Sequence, residues 1–355
     1  MEHLKQIAAR LDEYKLDAML ITSASGERYA LGFNGEGLLL VARDKAHYTT
    51  DGRYIEAAQE RIKGVVPGLI NQKNGSHLAQ AAAFLRENGL HRVGFESGSM
   101  TVDDQIRHAK ELPCELIPAQ GLLEGLRASK DEDELDAMRH AQKITDDSFT
   151  AILDFIRPGV TEREIAARLT YEMLLRGAEK MSFQPIAAAG PNGSMPHAIP
   201  SDRKVEPGMF ITMDFGCIVD GYCSDMTRSV AVGKPTEEME KVYNIVLAAQ
   251  EAGIRTFRAG VAGREVDAAA RKVIADAGYG RYFSHSFGHS LGLDVHEPPF
   301  AGPSEQRPLP AGAVVSAEPG IYIPGRFGVR IEDAIVVREG GSEDLAHSPK
   351  NLIVL

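Results

Sequence analysis

Cysteine is scarce in this chain. Cys114, Cys217 and Cys223 are three in 355 residues, too few and too irregular for a disulfide framework or a zinc ribbon. Packing in a reducing compartment is the expectation for them, and with it a cytoplasmic location. Positive charge is also short, 39 Lys and Arg against 50 Asp and Glu, for a net charge of −11. That balance argues against a nucleic-acid partner, which calls for a basic stripe, and against docking on an anionic membrane. No apolar run approaches the roughly 18 residues of a membrane span. The opening MEHLKQIAARLDEYKLDAML lacks the apolar core of a secretory signal and reads as an amphipathic helix followed by a strand. The phosphate-cradling patterns GxGxxG and GxxxxGK(S/T) are both absent.

What is present is an ordinary globular composition, 43% hydrophobic and 25% charged. The length suggests two domains of about 150 residues each. The first 120 residues alternate helix-like stretches (4–14, 54–61, 77–87, 102–111) with strand-like ones (18–21, 37–41, 65–70, 92–95, 115–118), the pattern of an α/β domain. A long amphipathic helix follows, opened by the acids at 131–134 and closed by Pro158-Gly159. The boundary is expected near 122, giving domains 1–122 and 123–355. In the second, helices at 162–176, 237–257 and 264–277 group with strand-rich stretches at 209–232, 282–296 and 314–337, an α+β arrangement.

The informative acids sit on strands. In ITMDFGCIVDGYCSDMTRSV, Asp220-Gly221 is a hairpin turn signal. A two-residue turn there sets Val219 opposite Tyr222 and Asp214 opposite Thr227. Asp214 and Asp225 then become diagonal neighbours on one face, with backbones roughly 7–8 Å apart. Carboxylates in apolar surroundings are costly unless paired, so they are either a solvated face or a shared cation site. A second pair, Glu318 and Glu332, lies symmetrically about Gly325 in VVSAEPGIYIPGRFGVRIEDAIVV. An odd-length loop would set these two opposite each other, which is unfavourable without a cation between them. Arg330 offers the plainer alternative of a salt bridge.

Three of the eleven histidines, His285, His289 and His296, fall within the glycine-punctuated segment YFSHSFGHSLGLDVHEPP. His197 follows Pro196 in a turn-rich loop. Two short matches mislead. Gly288 to Gly292 spells G-x-S-x-G, the serine-hydrolase elbow, with Asp333 and His347 downstream in triad order. Pro298 and Pro299 follow too closely for the helix that elbow needs. Asp214-Phe215-Gly216 spells a kinase motif without its companion motifs.

Taken together, MDFG, GYCSDMTRS, GHSLGLDVHEPP, SAEPGIYI and GVRIED, with PHAIPSDRKVEPG upstream, resemble the "pita-bread" metallopeptidases. These are the methionine aminopeptidase, prolidase and aminopeptidase P superfamily, and the resemblance is nearest to short bacterial Xaa-Pro dipeptidases and Xaa-Pro aminopeptidases. It spans about residues 183–337. RYALGFNGEG and TTDGRY resemble the creatinase-type N-terminal domain. The implied fold is an α+β pita-bread catalytic domain preceded by a smaller α/β creatinase-like domain. The implied metal ligands are Asp214, Asp225, His289, Glu318 and Glu332. Asp225 and Glu332 would bridge two divalent ions, Asp214 completing one shell and His289 with Glu318 the other. Mn²⁺ suits an oxygen-rich set with one imidazole, with Co²⁺ or Zn²⁺ as alternatives.

By the same resemblance the protein is a metallopeptidase cleaving Xaa-Pro bonds in dipeptides or at the N-terminus of short peptides. A hydroxide bridging the metals would attack, Glu318 would move the proton, and His197 or His296 would steady the oxyanion. His285, Arg330 and Phe183 would contact substrate. A homo-oligomer, dimer or tetramer, is implied as well. Two departures stand out: Ser290 where the family commonly has glycine, and Phe300 near where many relatives carry arginine. The competing readings are an inactive pita-bread protein that only binds peptides or partners, a metal-independent creatinase-like amidinohydrolase, and a serine hydrolase using Ser290.

Overall fold

The computed structural model describes residues 2–355. The chain divides into two compact units, one ending at Arg127 and one running from Ala128 to Leu355. The helix Gln120–Arg127, which spans the expected boundary, belongs whole to the first unit. Its Leu122 and Leu123 are buried there, and the helix packs against Glu2–Arg10.

The first unit is built on a six-stranded mixed sheet. Its order is Pro67–Leu69, Ala46–Thr50, Leu38–Ala42, Ala18–Ile21, Arg92–Phe95, Glu115–Pro118. Ala18–Ile21 runs antiparallel to one neighbour and parallel to the other. All four of its residues are buried, as a strand covered on both faces requires. The helix Ala24–Leu31 and the strand Ala46–Thr50 were not expected from sequence. The helix is short and carries Gly26, so its propensity is weak. It depends on Ser23, whose side chain accepts the Gly26 N–H, and it ends at Gly32 with φ +66°. The strand reads AHYTT and has no apolar run.

In the second unit, Asp131 and Glu134 form a reciprocal capping box that starts the helix Glu132–Leu153. This helix stops at Leu153, short of the expected Pro158-Gly159 breaker. Thr161 and Glu164 repeat the box for Glu162–Leu175. Ile144, Phe149, Ile165 and Leu169 of these helices pack on Ile211, Met213 and Phe215 of the strand Met209–Phe215. Side chains alternate along a strand, so Thr212 and Asp214 face the other way. The apolar burial of one face thus presents the carboxylate on the other. A second core packs the helices Glu237–Ile254 and Gly263–Asp276 against Val315, Ala317, Val329 and Ile335.

Both acid-bearing hairpins have the expected register. Val219 pairs with Tyr222 and Asp214 with Thr227, around Asp220 and Gly221, both at positive φ (49° and 82°). Gly216 is needed as glycine, because a Cβ there would lie 2.0 Å from the Ser224 carbonyl oxygen. In the second hairpin Gly320 pairs with Arg330 and Ile323 with Phe327, symmetric about Gly325. Val314–Ala317 continues that register against Asp333–Arg338. Glu318 and Glu332 are not a ladder pair, contrary to the expectation. They fall in a break between the two paired stretches. The Glu318 N–H goes to the Phe287 carbonyl (2.9 Å) and the Glu332 N–H to the Thr227 carbonyl (3.1 Å). Opposed carboxylates in a ladder repel, and the break gives each backbone its own partner.

Candidate metal centre and its cleft

Phe183, His197, Asp214, Asp225, His285, His289, His296, Glu318, Arg330 and Glu332 all line one cavity of about 470 Å³. Every residue singled out for the site in the sequence therefore meets at one place. They arrive there from different elements. Asp214 and Asp225 come from the first hairpin, His289 from the short strand Gly288–Ser290, and Glu318 and Glu332 from the break described above.

His289 holds the middle of the acids. Its Nε2 lies 3.4 Å from Glu318 Oε1 and 3.7 Å from Asp225 Oδ2. Its Nδ1 lies 3.2 Å from the Ser290 carbonyl oxygen, which assigns the ring proton to Nδ1 and leaves the Nε2 lone pair facing the carboxylates. Imidazoles that ligate metals are oriented in this way, by a backbone acceptor on the far nitrogen. Ligand atoms of Asp225, His289 and Glu332 lie within 4.8 Å of one another. Buried Asp214 Oδ1 and Asp225 Oδ1 have no hydrogen-bond partner.

The acids are destabilised as charged groups. Burial first, then the charges of Glu332, Asp214 and Glu318, holds the Asp225 carboxyl well above its ordinary range. Burial followed by Glu318 and Asp214 does the same to Glu332. Glu318 is pushed up to about 7, chiefly by burial. Burial lowers His289, so its ring is neutral and free to ligate. Crowded carboxylates, a neutral imidazole and unpartnered buried oxygens fit divalent cations, and positive charge among them would bring the raised pKa values back down.

Around this cluster runs a polar brace. Arg330 donates through Nη2 to Asp214 Oδ2 (2.5 Å), through Nε to Thr227 Oγ1 (3.0 Å), and through Nη1 to Tyr322 Oη (2.9 Å) and the Pro196 carbonyl (3.3 Å). The salt-bridge alternative has Arg330 partnering Glu318 and Glu332; its ion pair is instead with Asp214, and it reaches Glu332 only through Thr227. Thr227 Oγ1 donates to Glu332 Oε2 at 2.6 Å. His285 contacts the Ser286 carbonyl through Nδ1 (2.8 Å) and Tyr322 Oη through Nε2 (2.9 Å). Both its nitrogens are engaged, and burial holds its pKa down at about 4. His197 and His296 are exposed at the cavity, and the His296 ring meets that of His289 edge-on, with centroids 4.3 Å apart. Sequence reasoning missed Tyr322 and Thr227. Both lie inside the words that carried the resemblance, yet neither is a ligand type; Thr227 meets the distant Glu332, whereas Tyr322 meets Arg330 within one hairpin, as its Gly320–Arg330 register allows.

Ser290 is no nucleophile. It is fully buried, its Oγ has no partner, and it does not line the cavity. Asp333 pairs instead with Arg228 and Lys350, and His347 is 84% exposed in its side chain.

Comparison with known proteins agrees with this geometry. The family model "Metallopeptidase family M24" matches residues 136–339, and "Creatinase/Prolidase N-terminal domain" matches residues 3–129. The Xaa-Pro dipeptidase of Pyrococcus horikoshii is 33% identical over 99% of both chains. The solved Xaa-Pro dipeptidase from Bacillus anthracis superposes with a TM-score of 0.96 at 40% identity, covering 100% of this chain and 99% of that one. The X-Pro aminopeptidase from Thermotoga maritima gives 0.91 at 33% identity, covering 98% and 100%. The chain belongs to metallopeptidase family M24, with a creatinase/prolidase N-terminal domain ahead of its pita-bread domain.

Proposed function

We propose that this protein hydrolyses Xaa-Pro bonds in short peptides, using two divalent ions held by Asp214, Asp225, His289, Glu318 and Glu332. The observation that carries the reading is the gathering of four carboxylates around a neutral His289 in one cleft. Its intact ligand set disfavours the inactive binding protein and the metal-independent amidinohydrolase. Mn²⁺ fits the oxygen-rich set best. A cytoplasmic homo-oligomer completes the proposal, and no helix among the described residues is long and apolar enough to cross a membrane.

Bound divalent ions supply polarisation of the scissile carbonyl and a water acidic near neutral pH. Within that setting Glu318 accepts the proton of the attacking water and hands it to the proline nitrogen as the bond breaks. His197 and His296 stand at the cavity to donate hydrogen bonds to the developing oxyanion. Arg330, through Asp214 and Thr227, fixes the acids. Phe183 offers an apolar wall to the substrate, and His285, with both nitrogens engaged, offers its ring. An Xaa-Pro bond has no N–H on its proline nitrogen, so recognition rests on fit to the ring more than on an amide hydrogen bond.

The test is an assay of Xaa-Pro dipeptide and Xaa-Pro-Yaa tripeptide with the Mn²⁺-loaded protein. Metal-dependent cleavage of at least one is expected. Failure to cleave either would refute the reading.

A further inference from the structure

Lys130 is the most deeply buried lysine beside the cleft. Its Nζ lies 2.7 Å from Glu297 Oε1, and the two side chains are only 1% and 6% exposed. The pair joins the start of the helix Glu132–Leu153 to the residue immediately after His296. Residues 291–296 between the strands Gly288–Ser290 and Glu297–Ala301 form neither helix nor strand, so individual backbone and side-chain contacts set the course of that loop. Its two ends are tied by backbone bonds, Leu291 N–H to the Val314 carbonyl (3.1 Å) among them, and its middle meets the Lys130–Glu297 pair. The Asp294 N–H reaches Glu297 Oε2 at 3.4 Å. The Gly292 N–H reaches the Asp294 carbonyl (3.0 Å), and the Gly292 carbonyl accepts from the Cys223 N–H (2.7 Å). A Cβ on Gly292 would lie 2.6 Å from Glu297 Oε1 and 2.9 Å from Lys130 Cε. The loop is therefore folded directly against the ion pair. On its other end the Lys130 N–H is anchored to the Gly312 carbonyl at 2.9 Å.

A buried ion pair seldom stabilises a fold more than an apolar pair of the same volume, because both charges lose their water. Its value here is geometric. We propose that Lys130 is a positioning residue for the peptidase reaction, acting through Glu297 to hold His296 at the scissile carbonyl. The proposal rests on the reading of His296 as an oxyanion donor, and the experiment keeps the two apart.

The double variant Lys130→Met/Glu297→Leu replaces the pair with apolar side chains of similar volume and is expected to fold. Its kcat on an Xaa-Pro-Yaa tripeptide should fall by about tenfold to a hundredfold, the scale of a misplaced catalytic group, with KM little changed. Hydrogen exchange in residues 291–296 should accelerate in parallel. In a His296→Ala background the same double substitution should cost almost nothing further, since its target is already gone. A folded double variant with wild-type kcat and unchanged exchange would overturn the proposal. So would a loss that multiplies fully with that of His296→Ala. Full kcat in His296→Ala alone would remove the oxyanion role itself, and the proposal with it. Should the double variant not fold, Lys130→Arg, which keeps the charge and moves its position, carries the same cycle with the same expected pattern.

Discussion

Arg228 and Asp333 form an ion pair at 2.7 Å in which neither side chain is more than 1% exposed. The other guanidinium hydrogens go to the carbonyls of Thr227, Glu332, Ser348 and Pro349. One side chain thus ties the Asp225-bearing hairpin to the backbone of Glu332 and to the C-terminal segment. Removing the arginine takes the donor from four carbonyls, two of them in the hairpin and at Glu332, and leaves Asp333 to Lys350 and Gln250. Arg228→Met should destabilise the protein by about 3–5 kcal/mol, measured by urea unfolding, and should lower its Mn²⁺ affinity in calorimetry.

The expected bridging acids are tested by opposite signs in two states. Asp225→Asn and Glu332→Gln remove a repulsive buried charge from the metal-free protein and a ligand from the loaded one. Melting temperatures should rise without metal and fall with it, and elemental analysis should show lost metal. Full occupancy in both variants would refute the bridging role.

The metal-free protein should also lose stability as pH rises. Glu318 has a folded pKa of about 7 against an ordinary 4.5, so between those values the folded state binds a proton that the unfolded chain has released. Stability then falls with pH across that window and levels off above it. Asp225 and Glu332, shifted in the same direction, extend the fall upward. Calorimetric melting of chelated protein from pH 4.5 to 8 checks this, and saturating Mn²⁺ should abolish or reverse the slope, because metal competes with protons for the same oxygens.

Arg330 is the one cation among the described residues lining the cleft, and it is already committed to Asp214, Thr227, Tyr322 and Pro196. Phe300, 40% exposed, stands at the wall. A carboxylate directly after proline finds no free cation there. Xaa-Pro-Yaa and Xaa-Pro-amide should be cleaved about tenfold faster than the free dipeptide, the scale of one absent charge-assisted hydrogen bond. Phe300→Arg should narrow that ratio.

Ser290→Ala deletes a buried hydroxyl that has no partner. Activity should remain, and stability should rise slightly, by about 1 kcal/mol. Loss of activity in a folded variant would restore the serine-hydrolase reading.

Much of this site is legible in the sequence because it is built from local hairpins. The Asp220-Gly221 turn fixes the Asp214–Thr227 register, and the symmetry about Gly325 holds through both flanking ladders. What escapes is whatever depends on distant partners. The break at Glu318 and Glu332 arises because Phe287 and Thr227 take their N–H groups. The hydrogen bond from Thr227 to Glu332 and the Lys130–Glu297 pair join residues with no pattern linking them in the chain. In the first unit, Ala24–Leu31 and Ala46–Thr50 are short and weakly patterned, and tertiary burial of Tyr29 and Tyr48 outweighs local propensity.

The most direct measurement is the rate of Xaa-Pro-Yaa cleavage as Mn²⁺ is titrated into chelator-stripped protein, with bound metal counted in parallel. The rate should start near zero and reach its plateau as a second ion binds per chain, and Asp225→Asn should never reach it. Full cleavage by the stripped protein, or a plateau independent of bound metal, would contradict the account.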